Sequence, residues 1–169
     1  MKRKTVKIEI LPVEEQKRLI DREINCSMFV YNHFLLYRFN LWKNEKKNIK
    51  FFEEVKLLEV LIEEEEWLKS VEKESLEQAI RDLDTDYYNF FTQQSKYPKC
   101  RKKDDKIRWY KTRNENNNIQ VNVEEKILKL PCLGFIKING SELLNDKISY
   151  VKVIKIDDKY EALLTYEIQ

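Results

Sequence analysis

The side chains of this 169-residue chain that are best suited to chemistry lie in one short basic segment, residues 96–113. Nine lysines and arginines occur there against two aspartates, a local excess of +7 on a chain whose formal net charge is only +2. Clustered Lys and Arg side chains neutralise the phosphates of a nucleic-acid backbone, the polyanion that proteins most often bind. Charge alone leaves open the alternative of a solvated loop that keeps the protein soluble.

The basic segment also carries aromatic residues and is followed by asparagines. Trp109 and Tyr110 can stack on bases or ribose, and the alternative for both is core packing. Asn116 and Asn117 can pair through their amides with adenine, or they can belong to an ordinary polar loop. The candidate phosphate contacts within the segment are Lys99, Arg101, Lys102, Lys103, Lys106, Arg108, Lys111 and Arg113.

Other chemistries find little support in the residue types. The three cysteines, Cys26, Cys100 and Cys132, are far apart, and His33 is the only histidine, so we expect neither a zinc site nor any other metal or cofactor. The acidic runs Glu63–Glu66 and Asp82–Asp86 fall on predicted helix surfaces, where carboxylates are ordinarily solvated. We therefore expect no catalytic residues, no enzymatic activity and no small-molecule substrate.

The expected compartment is the cytoplasm. Met1-Lys2-Arg3-Lys4 is basic, but the apolar stretch of a signal peptide does not follow it. No apolar run approaches the ~18 residues of a membrane span. Free cysteines suit a reducing cytosol.

Hydrophobic periodicity predicts the elements that position these residues. Residues 5–11 alternate apolar and polar side chains, as a half-buried strand does. Helical spacing then covers residues 13–41, as two helices or one long broken helix, followed by a helix from Phe51 and another from about Val71. The period changes after Pro98, and alternation from Ile119 onward predicts several strands, with a hairpin turn at Asp157-Asp158-Lys159.

An isolated first strand needs partners for its edges, and the later strands can supply them. The sequence therefore predicts an α+β protein with a β-barrel or sheet of residues 1–12 plus 95–169, interrupted by a helical insertion of residues 13–94. The predicted helical insertion and the basic segment carry opposite charge. Within the insertion, residues 53–86 have thirteen acidic and four basic side chains, a net of −9.

Short motifs recur in a shared order along the whole chain, and together they resemble the N-terminal half of the TnpB (OrfB) proteins of insertion sequences. No single motif is specific, but their order over essentially the entire chain is. They are Ile10-Leu11-Pro12 with Gln16, Cys26, Phe29-Val30-Tyr31-Asn32 with Leu35, Trp67-Leu68, Gln78-Ala79 with Asp82-Leu83, Asn89-Phe90-Phe91, Tyr97-Pro98-Lys99, Asn117-Asn118-Ile119, Leu130-Pro131 with Leu133-Gly134 and Lys137, and Lys159-Tyr160-Glu161.

The resemblance implies a wedge-type β-barrel interrupted by a recognition domain of about four helices, which together grip a guide RNA and its target DNA. It also implies that Lys73 lies on the DNA-facing side, although Glu77 one turn later is acidic where an amide would suit DNA better. In that family the RuvC-like nuclease and its zinc-binding insert follow the region that this chain resembles. We therefore expect binding without cleavage, with a separately encoded nuclease domain as a further partner.

Two alternatives remain open at this point. The chain could be the remnant of a truncated or decayed transposase gene, folded but without activity. It could also be an interaction module whose acidic helix face docks a basic protein.

Overall fold

The computed structural model describes residues 2–168, which form seven β-strands, three α-helices and one short 3₁₀ helix. The α+β class predicted from the sequence is confirmed. In chain order the elements are β1 Lys2–Leu11, α1 Glu14–Glu45, α2 Phe51–Glu64, the 3₁₀ helix Glu66–Ser70, α3 Lys73–Phe91, β2 Ile107–Arg113, β3 Gln120–Asn122, β4 Ile127–Leu130, β5 Gly134–Asn139, β6 Lys147–Ile156 and β7 Lys159–Ile168.

The helical region contains one helix fewer than the resemblance implied. Residues predicted as two helices, or as one broken helix, form the single helix α1 of 32 residues. No glycine or proline interrupts it. Glu14 and Glu15 occupy the first turn, where acidic side chains interact favourably with the positive end of the helix dipole. The helix ends where Lys46 takes a left-handed backbone with φ of 53°. Within residues 2–168 the count is therefore three α-helices, and the expectation of four is not met.

The strands form one antiparallel sheet in the order β2-β6-β7-β1-β5-β4-β3. Strand β1 pairs with β7 on one side and with β5 on the other, which confirms that the first strand finds its partners near the other end of the chain. In the described chain the outer strands β2 and β3 do not pair with each other, so the sheet is open and the predicted barrel is not closed. Strand β3 has only three residues, too few to extend the ladder across the gap.

Two hairpin turns use the backbone conformations that tight turns require. The β6–β7 turn falls at the predicted Asp157-Asp158, where Asp157 has a φ of 53°. In the β4–β5 connection Gly134 has a φ of 73°, a region that glycine enters without steric cost. These turns fix the register of the strands on either side.

The chain divides into two compact units, each with its own hydrophobic core. One comprises Met1–Ile24 with Asp105–Gln169, and the other comprises Asn25–Asp104, so α1 contributes residues to both. We call them the sheet unit and the helical unit. The sheet unit buries, among others, Val6, Ile8, Ile10, Ile20, Ile24, Leu128, Ile136, Val151, Val153, Leu164 and Tyr166. The helical unit buries, among others, Cys26, Val30, Phe34, Leu58, Leu68, Leu76, Ile80 and Leu83.

Candidate nucleic-acid interface

The residues predicted to contact nucleic acid are divided between the two units. Those of the helical unit are Lys73, Lys99, Arg101, Lys102 and Lys103, and those of the sheet unit are Lys106, Arg108, Trp109, Tyr110, Lys111, Arg113, Asn116 and Asn117. Within each unit the structure separates side chains that present charge to solvent from side chains that hold the fold together.

Arg101 is a structural anchor of the basic segment. Its guanidinium donates to Asp82 at 3.2 Å and lies over the ring of Tyr31, 3.9 Å from the centroid. Its backbone is held by Asn32, which accepts from the Arg101 N–H at 2.7 Å and donates to the Arg101 carbonyl at 2.8 Å. The Arg101 side chain is only 13% exposed, so these contacts attach the segment to α1 and α3.

The lysines around Arg101 lie differently. Lys99, Lys102 and Lys103 are exposed, as phosphate-contacting lysines must be. Lys73, at the start of α3, has its ammonium 2.7 Å from Glu59 and 3.9 Å from Glu77. The Glu77 noted in the sequence as a departure from the family pattern is thus an ion-pair partner of Lys73.

Strand β2 was not recognised in the sequence, because charged residues interrupt its apolar pattern. In the structure its side chains alternate between the two faces of the sheet, so the predicted residues lie on both faces. Tyr110 points into the core and is 2% exposed, which matches the packing alternative and leaves no ring face for a base. Arg108 lies on the same side of the sheet and is half-buried. Trp109, Lys111 and Arg113 point to the opposite face, and Lys106 precedes the strand in an exposed position.

That opposite face continues onto β6 with residues that sequence reasoning missed. Lys111 lies directly across from Lys152, and Arg113 lies across from Tyr150. Residues paired in this way in an antiparallel sheet have their Cβ atoms ~5 Å apart. We call the five residues Trp109, Lys111, Arg113, Tyr150 and Lys152 the basic sheet face. The alternating pattern of β6 was the available signal for Tyr150 and Lys152.

Cations and aromatic rings contact each other across the basic sheet face. The Lys152 ammonium lies 4.4 Å from the centroid of the Trp109 ring, and the Lys111 ammonium lies 6.0 Å from that of Tyr150. Two like charges directly opposite each other destabilise a sheet, and cation–π contacts offset that cost only partly. The line of cross-strand neighbours that contains Lys111 and Lys152 also includes Lys7 on β1. The Lys7 ammonium forms an ion pair with the Glu161 carboxylate at 2.9 Å.

The asparagines after β2 form a turn. Asn116 and Asn117 both take left-handed backbones, with φ of 54° and 60°, and both side chains are exposed. Asparagine tolerates this conformation better than most residues, so the turn accounts for their type, while their amides remain accessible. Asn114, which the sequence did not single out, ties the turn to β6 by donating to the Ile148 carbonyl at 2.7 Å.

Several carboxylates of the acidic block of α2 and α3 are paired with cations inside the helical unit. Arg38 donates through two nitrogens to Glu54 and also reaches Asp84 at 3.0 Å. The Arg38 and Glu54 side chains are 10% and 0% exposed. Burial raises the pKa of Glu54, against the opposing influence of Arg38. These carboxylates hold basic side chains of their own unit.

Neither a metal-binding cluster nor a membrane-spanning helix occurs among residues 2–168. Between residues 2 and 168, no group of three or more His, Cys, Asp or Glu side chains is arranged to hold a metal ion. No helix within that range is both long enough and apolar enough to span a membrane.

Comparison with known proteins agrees with a DNA-associated role. The family model for the helix-turn-helix domain of OrfB proteins of IS605-type elements matches residues 1–47. A Streptomyces pristinaespiralis protein, named as a candidate RNA-guided DNA endonuclease, is 33% identical over 105 residues, covering 60% of this chain and 26% of that protein. Escherichia coli K12 InsQ, named in the same way, is 26% identical over 154 residues, covering 87% of this chain and 36% of InsQ. The chain thus spans about a third or less of these relatives.

Residues 1–47 thus match the OrfB-type N-terminal domain, a domain of insertion-sequence proteins. Over a larger part of its length the chain is similar to proteins named as RNA-guided DNA endonucleases. The domain does not fold as its description suggests. Residues 2–47 form β1 and the uninterrupted helix α1, without two helices joined by a turn.

Proposed function

We propose that this chain is a nucleic-acid-binding module of a TnpB-like system, which holds guide-type RNA and target DNA without cutting either. The observation that carries the proposal is the basic sheet face, where Lys111 and Lys152 are placed directly opposite each other beside two aromatic rings. Phosphates satisfy such cations, and aromatic rings stack on bases without regard to sequence.

The exposed lysines of the basic segment extend the proposal to the helical unit. Lys99, Lys102 and Lys103 follow Tyr97-Pro98 in an irregular stretch that Arg101 fastens to the helices. A segment that is anchored at its centre and carries exposed charges can contact a nucleic-acid backbone without first becoming ordered. The open sheet takes the place of the family's wedge-type barrel in this proposal, and the helical unit takes the place of its recognition domain.

The proposal assigns binding to this chain and cleavage to a separately encoded nuclease domain. The chemistry of the side chains supports this division, because cations and aromatic rings meet on the surfaces described above, and such groups grip phosphates and bases. The relatives named as endonucleases are about three to four times as long as the regions that match.

The decisive experiment measures binding of a fluorescent single-stranded RNA and a DNA duplex to the purified full chain as salt is raised. Affinity should fall steeply, with the logarithm of the association constant decreasing by ~0.7–0.9 per phosphate contact for each unit of log salt. The variant Lys111→Glu/Arg113→Glu should weaken binding by at least tenfold and reduce that slope by about two contacts.

A matched control makes the same change in net charge elsewhere on the sheet unit. Lys126→Glu/Lys159→Glu reverses two exposed lysines outside the basic sheet face, one in the turn before β4 and one at the first residue of β7. It should bind nearly as tightly as the parent chain. Equal losses in the two double variants would show that binding follows net charge alone. Absence of binding at low salt would overturn the proposal, and so would the appearance of cut products with magnesium.

A further inference from the structure

The helical unit contains an aromatic cavity, lined in part by Tyr97 of the basic segment, whose exposed rings the proposed phosphate contacts do not explain. Its volume is ≈550 Å³, and its lining includes Trp42, Asn48, Asp84, Tyr88, Phe91 and Tyr97. We call it the aromatic cavity. Three of its aromatic side chains are strongly exposed, Trp42 at 51%, Tyr88 at 64% and Phe91 at 67%. Aromatic rings left this exposed and gathered around one hollow are typical of a binding site.

The floor of the cavity is held rigidly. Tyr87 and Tyr97 share a hydrogen bond of 2.6 Å between their hydroxyls, and their rings meet edge to face with centroids 5.5 Å apart. Arg38 lies 4.9 Å from the centroid of Tyr87 while its guanidinium bonds to Asp84 and Glu54. A preorganised floor lowers the entropy that a ligand must offset when it binds.

The two connecting stretches that border the cavity are basic, whereas the lining residue Asp84 on α3 is acidic. The stretch 43–50, which provides Asn48, contains four lysines and one glutamate, and the stretch 93–99, which provides Tyr97, contains two lysines and no acid. One of these cations, the Lys46 ammonium, lies 5.6 Å from the centroid of the Trp42 ring. The chain segments that border the cavity thus carry a net charge of +3 and +2.

Polar atoms inside the cavity suit the edge of a base. The carboxylate of Asp84, 52% exposed, can accept hydrogen bonds, and the amide of Asn48 can both donate and accept. Aromatic faces, hydrogen-bonding groups at the floor and lysines around it together match one unstacked base with its phosphate.

We propose that the aromatic cavity takes one unpaired nucleotide of a bound single strand, with its base against Trp42 and its phosphate toward the neighbouring lysines. This inference rests on the proposed function, because the nucleotide belongs to the nucleic acid that the chain holds. It adds a site for an extruded base beside lysines, such as Lys99, that the proposed function assigns to the backbone.

The test uses the full chain and a short single-stranded RNA that contains the fluorescent base 2-aminopurine. Stacking on an indole quenches this fluorophore. The parent chain should quench it on binding, and Trp42→Ala should abolish the quenching and weaken binding by about tenfold. Trp42→Phe should restore most of the affinity. Thermal unfolding of each variant checks that the helical unit remains folded.

The matched control is Trp67→Ala, which removes an indole of similar exposure, 44%, that does not line the cavity. It should leave quenching and affinity unchanged. Lys111→Glu/Arg113→Glu should weaken binding yet keep full quenching at saturating RNA.

The outcomes separate the two proposals. If RNA binds with the expected salt dependence but Trp42→Ala binds and quenches like the parent chain, the cavity inference is overturned and the proposed function stands. If no nucleic acid binds at low salt, both fail. If Trp42 emission responds to an acidic aromatic peptide and the RNA leaves it unchanged, the cavity is a protein-docking site and the inference is also overturned.

Discussion

The helical unit and the basic sheet face arrange their charged side chains differently, although ion pairs such as Lys7–Glu161 also occur in the sheet unit. In the helical unit, acidic and basic groups meet each other, as Arg38 does with Glu54 and Asp84, and Arg101 does with Asp82. On the basic sheet face, Lys111 lies opposite Lys152, and the groups that contact these lysines include aromatic rings. The comparison teaches that a local excess of charge is a poor guide to function until its partners inside the fold are known.

The largest expected effect comes from breaking the buried network of the helical unit. Arg38→Met leaves Glu54 buried without its cation, so we expect a loss of ~3–5 kcal/mol in the free energy of unfolding. Urea denaturation followed by circular dichroism measures it. Arg38→Met/Glu54→Leu should regain most of the loss, because no charge then remains buried.

A surface pair provides the control for that experiment. Arg18 and Glu15 form an ion pair on α1 in which both side chains remain more than half exposed. Arg18→Met should change stability little, since exposed pairs contribute little. A comparable loss in both arginine variants would show that the burial of Glu54 is not what makes Arg38 important.

The second prediction separates anchoring from contact within the basic segment. Arg101→Gln should lower stability by ~1–3 kcal/mol, because the bond to Asp82 and the stacking on Tyr31 are lost. Lys103→Gln, at an exposed position nearby, should leave stability unchanged and weaken RNA binding instead. Denaturation and salt-dependent binding, measured on both variants, would contradict this division if the two residues behaved alike.

The third prediction addresses the like-charged pair of the sheet. Lys152→Thr removes the repulsion with Lys111 and places a strong strand former on β6, so stability should stay level or rise by ~0.2–1 kcal/mol. Affinity for RNA should nevertheless fall and the salt slope should lose about one contact. A variant that lost both stability and affinity would indicate that Lys152 serves the fold.

The smallest effect concerns pH. Burial lowers the pKa of His33 below its ordinary value of 6.5, so the folded state binds this proton less readily than the unfolded state does. The free energy of unfolding should therefore be highest above the pKa that His33 has in the unfolded state, and it should decline slightly as the pH falls through that pKa. Since His33 is the only histidine, His33→Gln should flatten the stability profile between about pH 5.5 and 7.5. An unchanged profile would assign the slope to other groups.

Local patterns predicted much of the fold. The residues Leu76, Ile80, Leu83, Tyr87 and Phe90 recur at helical spacing and are buried, except that Phe90 is half-buried, and the β6–β7 turn falls at the predicted Asp157-Asp158. Strand β2 was not predicted, because its lysines and arginines obscure the alternation of core-facing and outward-facing side chains. That alternation becomes evident only from the pairing of β2 with β6. The single helix α1 and the open sheet depend on tertiary packing, which local periodicity does not encode.

The candidate site was less accessible to sequence reasoning. Arg101 and Lys103 occupy similar positions in the basic segment, yet Arg101 is held by Asp82 and Tyr31 while Lys103 is exposed. The sequence does not reveal this difference, because the residues that hold Arg101 lie on the helices α1 and α3. Lys152 and Tyr150 lie about forty residues from Lys111 and Arg113, and only strand pairing brings them together. The aromatic cavity likewise draws on two helices and two connecting stretches.

The position of β1 between β5 and β7 has a consequence for synthesis on the ribosome. Thr5 bonds to Thr165 across 160 residues, so at ~5–20 residues per second the first strand waits about 8–30 s for its partner to be made. For most of that interval neither β5 nor β7 has been made, so both edges of β1 stay unpaired, a condition that favours association with other chains. Its exposed side chains include Lys2, Arg3, Lys4 and Lys7, and their mutual repulsion protects the nascent chain until β7 emerges.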